Sequence, residues 1–270
     1  MIPKVIHYCW FGKSKMPELV KKCVESWKKK CPDYEIVQWN EDNYSINNSI
    51  DYVKEAYQNE AWSFVSDYAR LDIVYNNGGI YLDTDVELIR NLDDMLEQDC
   101  FLALESSGYI ATGLGFGAVK KSKAIEMMMA EYEGVHYMLA SDVFDKTPCP
   151  MRNTSPFRNM GFKKCLDIQN LGVCNVYPPE YFCPIDYITR ECNITKNTIS
   201  IHHYNESWIT DNEKKLRKEV EEFSKIHNRF STFLYKNKRE FELTCSKLTM
   251  MDFFKFIIHK LREKFVKIFR

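Results

Sequence analysis

No sign of charge dominates this chain: 37 lysines and arginines stand against 38 aspartates and glutamates, a formal net charge of -1 over 270 residues. A protein that wraps nucleic acid needs a basic excess to neutralise phosphates, so that class is excluded and any electrostatic role is local. Long apolar runs are missing as well. Without a window of about 18 uncharged apolar residues no spanning helix is expected. Met1-Ile2-Pro3-Lys4 passes directly into the run Val5 to Trp10, with no signal-peptide core or cleavage site. The ten cysteines contain no C-x-x-C pair, and scattered through a chain of this length they read as reduced thiols rather than a disulfide framework. These absences together point to the cytoplasm. Also lacking is a dinucleotide fingerprint, because the glycines of Gly108 to Val119 do not follow the G-x-G-x-x-G spacing.

What is present is ordinary in bulk, with 45% apolar and 28% charged residues, and long enough to bury a core as one large domain or two small ones. Lys4 to Phe11 is rich in β-branched and aromatic residues and stops at Gly12, which reads as a buried first strand. Pro17 opens a helix in which Leu19, Val20, Cys23, Val24 and Trp27 recur at helical spacing, closed by Lys28-Lys29-Lys30 where cations suit the dipole. Tyr34 to Trp39 is the next strand, completing a βαβ opening of the parallel-sheet kind. Ser49 to Asn76 reads as helix with a break near Asn59, stopped by Asn76-Asn77-Gly78-Gly79.

Beyond residue 90 the expectations are coarser. Cys100 to Leu104 reads as a short strand, and Gly108 to Val119 as a strand whose glycines admit either a ligand or a neighbouring backbone. Ser122 to Ala140 reads as a helix with a methionine-rich core face, and 147–162 as a long irregular, proline-broken loop. Gly172 to Tyr177 and Tyr181 to Tyr187 suggest further strands, and Asp211 to Lys238 a charged helix. From Lys247 to Arg270 bulky apolar residues alternate with Lys255, Lys260, Arg262, Lys264, Lys267 and Arg270. That pattern suits either an interfacial helix on an anionic membrane or a final helix packed on its domain.

The stretch Gly78-Gly-Ile-Tyr-Leu-Asp-Thr-Asp-Val-Glu-Leu88 carries the chemistry. Asp83 and Asp85 stand one residue apart at the end of an apolar segment read as a buried strand. Residues i and i+2 of a strand share a face, so both carboxylates would meet a hard divalent cation together. The plainer alternative is a solvated acidic turn. A second concentration, Thr198 to Trp208, is a strand that delivers His202 or His203 into a polar turn with Ser207 and Trp208.

These residues resemble a known family. The set Ile2 to Gly12, Ser66-Asp67-Tyr-Ala-Arg70, Gly78 to Asp85 and His202-His-Tyr-Asn-Glu-Ser-Trp208 is similar to the family 32 glycosyltransferases. These include bacterial capsular polysaccharide transferases and the yeast mannosyltransferases that initiate outer chains, and they are related to the glucosyltransferase domains of the large clostridial cytotoxins. The resemblance covers about residues 1 to 90 and 198 to 208. It implies an α/β chain with a GT-A type, Rossmann-like mixed sheet flanked by helices over 1–210, and a helical C-terminal extension over 211–270. It also implies a retaining, metal-dependent hexosyl transfer from a UDP-sugar, with Mn²⁺ or Mg²⁺ as cofactor. Trp10 would stack on uracil, Asp67 and Arg70 would hold the ribose and the sugar, and Tyr81, Asp83, Ser207 and Trp208 would complete the donor site. Asp83, Asp85 and His202 would be the metal ligands, and Asp83, Asp85 and Arg70 the catalytic set. The acceptor implied is a lipid-linked capsular or cell-surface glycan at the inner membrane leaflet, reached through 247–270. The rivals are a hydrolase acting on phosphorylated substrates through the two aspartates, and a sugar-binding or membrane-associated protein that keeps the fold without transfer.

Overall fold

The computed structural model describes residues 1–140, 143–185 and 191–204, and most positions of 211–239. The chain divides into two units, Met1–Trp208 and Ile209–Arg270. The expectations for Ser207, Trp208 and the tail 247–270 lie outside the described residues. In chain order the elements of the first unit are β1 (Val5–Cys9), α1 (Glu18–Lys30), β2 (Glu35–Trp39), α2 (Asp51–Gln58), α3 (Trp62–Asn77), β3 (Gly79–Tyr81), β4 (Val86–Leu88), β5 (Cys100–Ala103), β6 (Phe116–Ala118), α4 (Lys123–Ala130), β7 (Met138–Ala140), β8 (Val143–Phe144), α5 (Cys149–Thr154), β9 (Gln169–Asn170), β10 (Asn175–Tyr177), α6 (Pro179–Phe182) and β11 (Ser200–His202). In the second unit, Glu219 of α7 (Asp211–Ser224) pairs with Arg239 at 2.8 Å.

The main sheet has the order β2-β1-β3-β6-β5-β10-β9. β1 pairs in parallel with β2 and β3, and β5 with β10, while β6 runs antiparallel between β3 and β5. The expected fold class, a mixed α/β sheet flanked by helices, is therefore what the chain adopts. Period-two alternation divides the buried strands between two cores. Ile6, Tyr8, Ile80, Leu82, Phe101 and Ala103 pack with Cys23 and Trp27 of α1. Cys9, Tyr81, Cys100, Leu102, Phe116 and Ala118 pack with α2, α3 and α4.

Local chemistry fixes the ends. Pro17 caps α1, Glu18 sits in its first turn and Lys28, Lys29 and Lys30 in its last, so both ends suit the dipole. α3 stops at Gly78, whose φ of 72° favours glycine and whose N–H reaches Val74 O at 2.7 Å. No disulfide joins two of the described cysteines.

Several expectations differ from the structure. The stretch Gly108 to Val119 is not one strand: only Phe116–Ala118 joins the sheet, after an isolated Leu104–Ile110 bridge, because the chain between them bends to meet Asp83. The helix from Ser122 ends at Ala130, and Met138–Ala140 forms a hairpin with Val143–Phe144, after Gly134 with φ 68° breaks the helical pattern. Residues 147–162 are not irregular: Pro150 and Pro156 sit in the first turns of α5 and of a 3-10 helix over Ser155–Met160, where a missing N–H costs nothing. Tyr181 is not in a strand but in α6, which the adjacent Pro178 and Pro179 initiate.

Candidate active site

Asp83 and Asp85 do not lie on a strand face. β3 ends at Tyr81, and the two aspartates occupy the turn to β4, closed by Val86 N–H donating to Asp83 O at 3.0 Å. They converge because the turn is clamped at both ends, by β3 in the sheet and by β4 beneath α1. The Trp27 indole N–H donates to Val86 O at 2.7 Å, and Ser26 Oγ accepts from Leu88 N–H at 2.9 Å. Strand alternation therefore gave the right pairing of carboxylates for the wrong local reason.

β11 pairs antiparallel with β4, with His202 opposite Val86, and His203 N–H donates to Asp85 O at 3.0 Å. This register sends the two histidines apart. His202 Nε2 lies 3.2 Å from Asp85 Oδ1, whereas His203 Nε2 pairs with Glu87 Oε2 at 2.9 Å. The ligand atoms of Asp83, Asp85 and His202 all lie within 4.8 Å of one another.

Arg70, on α3, is buried and ties three segments together. It pairs with Asp67 at 2.9 Å one turn earlier and with Asp83 at 3.1 Å. It also donates to Thr112 Oγ1 at 3.3 Å and to Cys149 Sγ at 3.5 Å. The Tyr81 ring is buried 5.3 Å from the guanidinium. Asn153, wholly buried on α5, donates to the same Thr112 oxygen at 3.0 Å. Thr112, Cys149 and Asn153 escaped sequence reading because long chain reversals bring them to Arg70, and no local spacing announces that. Gly113 carried the one cue, a glycine inside an apolar stretch. Its carbonyl accepts from Asp83 N–H at 3.3 Å, and a Cβ there would collide with Asp83 Oδ2. At that position the glycine admits a neighbouring carboxylate.

The electrostatics are those of a site short of positive charge. Burial, with the charge of Asp85, outweighs Arg70 and His202 and pushes the Asp83 carboxyl up to about 6. Burial disfavours the His202 cation, but Asp85, then Asp83 and Glu105, outweigh it and raise its pKa. Arg70 Nε, Asn153 Oδ1 and His202 Nδ1 are buried without partners, and such atoms call for a ligand or water. Two carboxylates, an imidazole with an unmatched nitrogen and an excess of negative charge fit a divalent cation. Trp10 follows β1 at the same sheet edge, its indole N–H donating to Ser14 O at 2.8 Å.

Comparison with known proteins sets similarities beside this geometry. Residues 17–102 match the family model described as the glycosyltransferase sugar-binding region containing a DXD motif. The chain is 34% identical over 123 residues, 43% of its own length, to inositol phosphoceramide mannosyltransferase 3 of Schizosaccharomyces pombe. It spans 33% of that relative's length. Among solved structures it resembles the PaToxG glycosyltransferase with a TM-score of 0.44 and 16% identity, covering 58% of this chain and 69% of the other. It also resembles a glycosyltransferase involved in glycosylation of the major capsid of PBCV-1, with a TM-score of 0.44 and 13% identity, covering 82% and 100%. The D-x-D inside the region that matches the family model is Asp83-Thr84-Asp85, the turn that meets His202 and Arg70.

Proposed function

We propose that this chain is a metal-dependent, retaining glycosyltransferase of the family 32 type, moving a hexose from a UDP-sugar onto a lipid-linked capsular or cell-surface glycan at the inner face of the membrane. The observation that carries the reading is the meeting of Asp83, Asp85 and His202 within 4.8 Å, beside an Arg70 that braces Asp83. Asp85 and His202, with Asp83, would hold Mn²⁺ or Mg²⁺, which would neutralise the charge developing on the departing diphosphate. Arg70 holds Asp67 and Asp83 in one rigid group, so that the sugar and ribose hydroxyls meet fixed acceptors. In the transfer the bond from the anomeric carbon to the leaving phosphate oxygen breaks and one to the acceptor oxygen forms. The acceptor proton passes to the leaving phosphate, which needs no carboxylate nucleophile on the protein.

The test is turnover of UDP-glucose, UDP-galactose and GDP-mannose with Mn²⁺ or EDTA. Metal-dependent release of nucleotide is expected. Asp85→Asn should lose it by roughly a hundredfold or more and should lose the rise in melting temperature that Mn²⁺ gives the parent. Full activity in that variant would remove Asp85 from the metal. A mannose donor is the second reading, favoured by the name of the fission-yeast relative. That name also supports a lipid acceptor. GDP-mannose turnover without UDP-sugar turnover would decide for it.

A further inference from the structure

One more carboxylate stands on the sheet edge that carries the Asp83 turn. β6 is antiparallel to both β3 and β5, so β3 and β5 run the same way and their C-terminal ends emerge together, the edge where open α/β sheets receive ligands. Asp83 lies two residues past the end of β3, and Glu105 two residues past the end of β5. A tight turn presents it. Glu105 N–H donates to Tyr109 O at 3.0 Å and Gly108 N–H to Glu105 O at 2.8 Å. Ser107 Oγ donates to Glu105 Oε1, and Lys164 Nζ caps the turn, 3.4 Å from the Tyr109 ring centroid and 3.4 Å from Ser107 O.

The turn faces the histidine side of the site. The Tyr204 ring packs edge-on against His202 with centroids 4.4 Å apart, and its side chain meets Ser106 beside Glu105. After burial and Ser107, the charges that act on Glu105 are those of His202 and Lys164, while those that act on Arg70 are Asp83 and Asp67. Glu105 is also no part of the ligand set Asp83, Asp85 and His202. Glu105 thus stands on the His202 side of the metal triad, through Tyr204 and Ser106, whereas Asp67 and Arg70 meet the triad through Asp83.

We propose that Glu105 is the residue that receives the acceptor, its carboxylate accepting a hydrogen bond from a sugar hydroxyl and orienting it toward the metal triad. A carboxylate suits this task because it offers only acceptor oxygens, and every sugar hydroxyl is a donor. The inference rests on the glycosyltransferase reading above. Lys164 and Ser107 fix the turn and do not touch the reacting atoms.

The test compares the parent with Glu105→Gln, which keeps the shape and removes the charge. Two rates are read with the donor that the parent turns over: Mn²⁺-dependent donor hydrolysis by water without acceptor, and transfer to octyl α-mannoside, octyl β-galactoside and octyl β-glucoside. The expected result is donor hydrolysis at saturating Mn²⁺ within about twofold of the parent, with kcat/KM for the octyl glycoside lowered roughly ten- to a hundredfold. That range corresponds to a hydrogen bond to a charged group. Equal loss of hydrolysis and transfer in a variant that still melts cooperatively would place Glu105 in the donor or metal site and overturn the proposal, as would unchanged transfer. A parent with no metal-dependent turnover would instead overturn the reading beneath it.

Discussion

At Gly113 the backbone passes so close to Asp83 that the smallest added side chain meets its carboxylate. Gly113→Ala therefore forces the Asp83 turn outward or the 110–115 segment away, and overpacking of this kind costs about 1–3 kcal/mol. The functional cost is expected to be larger than the structural one, because a misplacement of about 1 Å in a site can lower the rate on the order of a hundredfold. Melting temperature and metal-dependent turnover separate the two: a variant that stays folded, with turnover down on the order of a hundredfold, is the expected outcome, and parental turnover would show that Asp83 tolerates the shift. At this scale the candidates Asp83, Asp85, Asp67 and Arg70 were legible because they occur as short local patterns. Thr112, Cys149, Asn153 and Glu105 were not, because their meaning arises only from what lies across from them.

Among the elements, β1 shows how a strand can carry a buried histidine. His7 is held between β2 and the end of α3: the Trp39 indole N–H donates to His7 Nδ1 at 3.1 Å, and His7 Nε2 meets Gly78 O at 2.9 Å. That arrangement needs the neutral ring with its proton on Nε2, and burial lowers the pKa from its usual value. The sign follows directly. The unfolded chain takes up a proton near pH 6.5 that the folded chain refuses, so stability is full above that pH and falls as pH drops toward the lower folded value. Urea midpoints at pH 7.5 and 5.5 should show the loss, and His7→Gln should flatten that limb. A pH dependence unchanged in His7→Gln would assign the limb to other groups. The βαβ opening, α2, α3 and β5 were legible from periodicity, because each buries one regular face. The segments from 108 to 162 were not, because prolines and glycines there start helical turns and a hairpin in a stretch without sustained period.

For the whole molecule, the near-zero net charge confines electrostatic work to local clusters, and among the described residues a buried Arg70 gathers the half-buried Asp67 and Asp83 into one such cluster beside His202. The tail 247–270 lies outside the described residues, and its alternation of bulky apolar and basic side chains is the sole ground for membrane contact. Vesicles with and without anionic lipid provide the measurement. Co-sedimentation of the full chain with anionic vesicles, lost at high salt and in a chain ending at residue 246, is expected. Equal sedimentation of both chains would move any membrane contact elsewhere.

Sequence by itself determined the α/β class, the early strands and helices, and the identity of the paired aspartates, because those depend on period and on adjacent residues. Only the tertiary structure decided that the aspartates sit in a clamped turn, that β11 pairs with β4 in the register sending His202 to Asp85 and His203 to Glu87, and that Glu105 shares their edge. The β4–β11 register is set between segments more than a hundred residues apart and the order of the main sheet by pairings between distant segments, and no local pattern encodes either.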